Sequence, residues 1–118
     1  AMKRGDIWTV AGGGDYAGKP RPVVIVQDDS FDATLSVTIC AFTTDDTEAP
    51  LFRLAIQPSP DNGLKQLSRL MVDKITTVAK AKLGTRIGHL NAQDMARLNQ
   101  AIAVFLGLTG SPARRPRP

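Results

Sequence analysis

The most restrictive stretch of this chain is Lys19-Pro20-Arg21-Pro22, followed without a break by Val23-Val24-Ile25-Val26. Proline fixes φ near −65°, carries no amide hydrogen and biases the residue before it toward extended backbone, so no helix can run through the segment. Four β-branched residues in a row, bounded by turn residues, then specify a strand buried on both faces. Such a strand needs partners on either side and enough apolar sequence elsewhere to cover it. With 42% apolar residues among 118 and no internal repeat, the chain can supply both, which predicts one domain with a real core. Arg21 stands at the mouth of this strand, held by a proline on each side. That is a stiff base for presenting a cation; the plainer reading is a side chain that covers the end of the fold or pairs with a carboxylate.

The rest of the chain supplies the partners. Asp6 to Val10 reads as a first strand, with Ile7 or Trp8 sharing the inward face with Val10. Ala11 to Lys19 is a loop with four glycines. It imitates a phosphate-binding loop (Gly13 to Lys19) and a dinucleotide fingerprint (Gly12 to Ala17). Both fail on context, because Pro20 stands where a magnesium-binding hydroxyl belongs and a strand follows where a helix N-terminus should receive phosphate. A hairpin loop acting as a lid or partner-binding arm fits better. Asp28 to Ala33 is a turn. Ser36 to Thr43 alternates cleanly, with Val37, Ile39, Ala41 and Thr43 on one side and Thr38, Cys40 and Phe42 on the other. Leu51 to Gln57 is a further strand, Pro58 to Gly63 a strong turn, and Arg69 to Val78 strand-like, although Asp73 and Lys74 interrupt its apolar run. Ala79 to Leu83 reads as a helical turn closed by Gly84, and Thr85 to Ile87 as a last short strand. Asn91 then caps an amphipathic helix whose stripe is Met95, Leu98, Ile102 and Phe105 and whose end is Gly107. The pattern predicts a mainly β fold with one C-terminal helix (α+β): a small, strongly bent SH3-like antiparallel barrel with the helix at one edge.

Composition excludes several function classes. Of the 15 basic residues, Arg114, Arg115 and Arg117 lie in the proline-broken segment 111–118, which is expected to be a disordered basic tail. The body is left with 12 basic against 11 acidic residues, so bulk charge says little about nucleic acid. One cysteine and one histidine, far apart, give no zinc cluster. No apolar run approaches a membrane span and the start shows no signal-peptide pattern, which predicts a cytoplasmic protein.

Taken as an ordered set, Arg4-Gly5-Asp6-Ile7-Trp8, Gly18-x-x-Arg21-Pro22 with its strand, the strand ending at Thr43, Val72-Asp73-Lys74-Ile75-Thr76-Thr77-Val78, and Arg86-Ile87-Gly88-x-Leu90 resemble the MazF/PemK-type toxins, relatives of Kid and more distantly of CcdB. The resemblance covers about residues 3 to 108 and implies a single toxin domain over 3–110. It further implies a metal-independent, sequence-specific endoribonuclease without cofactor, the toxin of a type II toxin–antitoxin pair, acting on single-stranded RNA as a homodimer. By position, Arg21 matches the family's catalytic arginine and Thr43 its strand-end threonine, while Asp73 falls where some members place an acidic general base. Kid-like members carry a second catalytic arginine two residues before that acid. Met71 occupies the place here, and strand alternation would put the nearby Arg69 on the same side as Met71 and Asp73. The cognate antitoxin is expected to lay an acidic, partly disordered tail over the same groove.

The chemistry can be argued without the family. RNA carries its own nucleophile in the 2′-hydroxyl, so cleavage needs a proton acceptor, donors to the pentacoordinate phosphorane, and a donor to the leaving 5′-oxygen. Arg21 can supply paired donors, Thr43 one more, and Asp73 either a base or a group that orients Arg21. Against these stand an ordinary turn threonine and an Asp73 paired with Lys74 or Arg86. Tyr16, Lys19, Arg53 and Lys74 are the candidates for holding RNA by stacking and charge. His89 is set aside because it precedes the helix cap at a surface turn. Two further readings remain open: a non-catalytic CcdB-like toxin that binds and poisons gyrase, and an SH3-like interaction module, against which the 5% aromatic content counts.

Overall fold

The computed structural model describes residues 2–11 and 19–110. The interior of the four-glycine loop, with Tyr16, and the segment 111–118 lie outside the described residues. Among the described residues seven strands precede one helix: β1 (Asp6–Val10), β2 (Arg21–Ile25), β3 (Ser36–Thr43), β4 (Arg53–Ile56), β5 (Ser68–Met71), β6 (Thr76–Ala79), β7 (Leu83–His89) and α1 (Ala92–Phe105). Every pairing is antiparallel. The sheet runs β4-β5-β3-β2-β1-β7, with β6 also on β3. It is not the closed barrel expected: β4 and β7 are its two ends.

β3 organises this sheet. Its alternating residues face two apolar clusters, Val37 and Ile39 joining Val23 and Ile25 on one side, Cys40 and Phe42 joining Ile7, Val24, Leu70 and Leu98 on the other. Both faces of β2 are therefore covered, as its β-branched run requires. The same clusters assign the residues of β1: Ile7 enters the main core, whereas Trp8 and Val10 pack on the second cluster. Along its other edge β3 pairs first with β6, from Ser36 to Ile39, and then with β5, at Phe42 and Thr43.

That shared edge explains the charges inside the expected strand over 69–78. The chain does not run through as one strand; a 3-10 turn at Val72–Lys74 separates β5 from β6. Val72 is buried, while Asp73 and Lys74 sit on the turn and are spared a place in the sheet. The turn moves the chain from one end of β3 to the other. It also removes the alternation expected to align Asp73 with Arg69 and Met71.

A smaller difference lies at β7, which is longer than expected and already includes Leu83 and Gly84. Gly84 follows a 3-10 turn at Lys80–Lys82 but serves close packing: a Cβ there would stand 2.7 Å from the Thr9 hydroxyl, which accepts the Thr85 amide at 2.9 Å. The helix forms as its cap predicts, with Asn91 Oδ1 accepting the Asp94 amide at 2.7 Å. Leu98 is fully buried, Met95 and Ile102 partly so, and Phe105 lies half-exposed against Phe52. Gly107, at φ +76°, ends the helix. Among the described residues no helix is long and apolar enough to cross a membrane.

Candidate active site

Arg21 opens β2 and lies opposite Val10 of β1. On its other edge β2 pairs with β3 as Val23 with Ala41, Val24 with Cys40 and Ile25 with Ile39. The same register carried two residues toward the strand mouth brings Arg21 opposite Thr43, the last residue of β3. Directly opposed residues in an antiparallel pair project from the same face, so their side chains are neighbours. A cavity of about 400 Å³ opens there, lined by both residues together with Lys19, Thr44 and Ser68. The two prolines flanking Arg21 also line it, and the buried Val23 and Val24 follow directly in the strand.

Thr43 is pinned by its own turn. Its Oγ1 accepts the Asp45 amide at 3.1 Å, which orients the hydroxyl and leaves its hydrogen to donate. A further arginine approaches on the far side. Arg69 of β5 is the register partner of Thr43, its side chain is only 15% exposed, and it bonds the Asp45 carbonyl at 3.4 Å while facing Glu48 at 3.8 Å. Arg21, Thr43 and Arg69 thus form one row across three strands. The β5 alternation marks Arg69 as a same-face residue, but its position beside Thr43 follows only from the pairing of β5 with the end of β3.

Asp73 is placed elsewhere. Arg53 Nε and Nη2 donate to its two oxygens at 3.0 and 3.2 Å, a forked pair. Its partner is therefore neither Lys74 nor Arg86; the latter pairs with Asp6 at 3.3 Å. The hydrogen bonds from Arg53, foremost, hold the Asp73 carboxyl below the usual carboxylate range in spite of partial burial. Arg53 is itself steadied over the Phe52 ring, 5.9 Å from its centroid. Neither member of the pair lines the cavity at Arg21, and neither does Lys74, which is exposed on the 3-10 turn. Lys19 does line it. His89 ends β7 opposite Asp6, away from these residues. Cys40 is no nucleophile, since burial pushes its thiol up to about 12. Among the described residues, no three His, Cys, Asp or Glu side chains are grouped as metal ligands would be.

The family model of PemK-like, MazF-like toxins of type II toxin–antitoxin systems matches residues 3–106. This chain belongs to that toxin family. A protein of Mycolicibacterium smegmatis named "Probable endoribonuclease MazF" is 56% identical to this toxin over 109 residues, covering 92% of this chain and all of the relative. An endoribonuclease solved with its cognate antitoxin, from a mycobacterial species, is similar at a TM-score of 0.77 and 28% identity, over 94% of this chain and 100% of that one. The MazE–MazF structure from Deinococcus radiodurans has a TM-score of 0.72 at 13% identity, over 91% and 97% of the two chains, and so speaks for the fold alone. None of these names points to a gyrase poison.

Proposed function

We infer that this MazF-like toxin is an endoribonuclease that cuts single-stranded RNA without a metal ion, through a site built on Arg21 and Thr43. The observation that carries the reading is the shared cavity at the end of β2 and β3, lined by Arg21, on a backbone stiffened by two prolines, and by the oriented hydroxyl of Thr43. The named endoribonucleases among its relatives support the activity.

In the reaction, the 2′-oxygen of the nucleotide before the cut attacks phosphorus and the P–O5′ bond breaks. The products are a 2′,3′-cyclic phosphate and a 5′-hydroxyl, the proton lost at O2′ being matched by one gained at O5′. The guanidinium of Arg21 donates two hydrogen bonds to the phosphoryl oxygens, where charge develops, and Thr43 Oγ1 adds a third donor. The flanking prolines and the strand hold the Arg21 backbone and the Asp45 amide orients the Thr43 hydroxyl before substrate arrives, which reduces the ordering left for the transition state. Lys19 adds charge at the cavity edge and Arg69 backs Thr43, while Lys74, exposed on the 3-10 turn, is a further cation available to RNA. Asp73 has both carboxylate oxygens engaged by Arg53, which lowers its affinity for a proton, and it does not line the cavity, so it stands outside this reaction; the pair anchors the 3-10 turn to β4. The toxin acts in the cytoplasm as a homodimer, and an antitoxin with an acidic segment neutralises it by covering the same cations, in keeping with the antitoxin complex of its mycobacterial structural relative.

The test is direct. Purified protein and its Arg21→Ala variant are incubated with a long mixed-sequence RNA in excess EDTA, and cut positions and end groups are mapped. Discrete cuts at a short recurrent motif, with 2′,3′-cyclic phosphate ends and absent in the variant, are expected. A folded wild-type dimer that cuts no RNA would overturn the reading.

A further inference from the structure

A second cavity, of about 440 Å³, adjoins the first and shares Pro20, Pro22, Thr44 and Ser68 with it. The two form one bent groove, with Arg21 and Thr43 in one arm. The other arm has apolar walls from Pro22, Leu64 and Ile87, and Lys65 and Gln66 stand at it. Its size falls within the range of small-ligand sites.

This second arm is stiff. The Pro58–Gly63 turn that leads into it is tied from inside by Asn62, which is only 4% exposed. Asn62 Oδ1 accepts the Ser59 and Leu64 amides at 2.9 and 3.0 Å, and Nδ2 donates to the Gln57 carbonyl at 2.8 Å. The turn is also locked onto β7. A Cβ on Gly63, whose φ is +68°, would stand 2.2 Å from the Ile87 carbonyl oxygen, and one on Gly88 would stand 2.3 Å from that of Asp61. Two glycines thus allow backbone to meet backbone. Lys65 and Gln66 follow this anchored turn directly, and no described residue bonds or pairs with the Gln66 carboxamide or the Lys65 ammonium.

We propose that this arm seats one nucleobase adjacent to the scissile phosphate, with Gln66 reading the base edge and Lys65 holding a neighbouring phosphate. The proposal rests on the RNA-cleavage reading above. An unstacked base needs flat apolar contact on its faces and hydrogen bonds on its edge, and the arm offers Pro22, Leu64 and Ile87 for the first and one carboxamide for the second. A carboxamide carries a donor and an acceptor side by side, so it can pair with a base edge through two bonds at once. Lysine is a point charge and reads no base, so its part is affinity without selection.

The experiment maps cleavage of a randomised single-stranded RNA pool by the wild-type protein and by Gln66→Ala, Gln66→Glu and Lys65→Ala variants whose melting temperatures match it. For Gln66→Ala, the preference at one position beside the cut should flatten by about tenfold while cutting continues. Gln66→Glu, which keeps acceptors and loses the donor, should re-rank the bases at that same position toward those presenting an amino group. Lys65→Ala should slow all sequences alike and reduce the salt dependence of binding. A wild-type preference left unchanged at every position by both Gln66 variants would overturn the subsite while leaving RNA cleavage intact. A wild-type protein that cuts none of the pool would overturn the cleavage reading, and the subsite with it.

Discussion

Two regions of this toxin set an arginine of a strand beside an oxygen-bearing side chain of a neighbouring element, and they differ in the space around the two groups. At the mouth of β2, Arg21 and Thr43 line an open cavity, and the internal bond that Thr43 makes uses its oxygen as acceptor. Between β4 and the 3-10 turn, Arg53 and Asp73 close on each other through two hydrogen bonds and satisfy one another. The contrast teaches that charge and residue type do not mark a reactive site. A donor serves a transition state only where its geometry is fixed and room remains in front of it, and a carboxylate serves as a base only while its affinity for a proton is kept.

The sharpest way to break the comparison is to truncate the two arginines in turn. Arg21→Ala should lower kcat/KM for RNA by about 10³-fold with an unchanged melting curve, whereas Arg53→Ala should alter cleavage by only a few-fold. Equal losses in the two variants would put both arginines in the chemistry. Next in size is Thr43→Val, which keeps the shape and removes the donor. A loss of about 10²-fold in kcat is expected, read by single-turnover cleavage, with folding followed separately by circular dichroism.

The remaining effects fall on stability. Removing Arg53 leaves a partly buried Asp73 without its partner, so Arg53→Ala should destabilise the fold by about 2 kcal/mol in urea titration at neutral pH. Smaller still is Asp73→Asn, at about 1 kcal/mol, because the pair is partly exposed to solvent. Its pH dependence has a definite sign. The folded carboxyl titrates below its unfolded value of about 3.9, so its contribution is present above that pH and is lost as pH falls through the depressed folded value. Wild type and Asp73→Asn should therefore differ most near neutrality and converge in strong acid. An Asp73→Asn variant that folds normally but loses cleavage would restore the carboxylate as general base.

Much of this architecture can be read from short-range pattern. Backbone sterics at Pro20 and Pro22, the β-branched run after them, the alternation from Ser36 to Thr43 and the capping side chain of Asn91 each act within a few residues, so each can be recognised from the chain alone. Arg21 stands out in the same way, between prolines at a strand mouth, whereas Thr43 is a strand end by pattern and a candidate only through the resemblance to the toxin family. The partner of Asp73 could not be found that way, and neither could the place of Arg69. Both depend on which strands meet and in what register, because β3 shares one edge between β5 and β6 and the chain must turn at Val72–Lys74 to serve both. Local sterics and hydrophobic period set where strands begin and end. Contacts between residues far apart in the chain set which charges cancel and which face a cavity, and those contacts exist only once the sheet has formed.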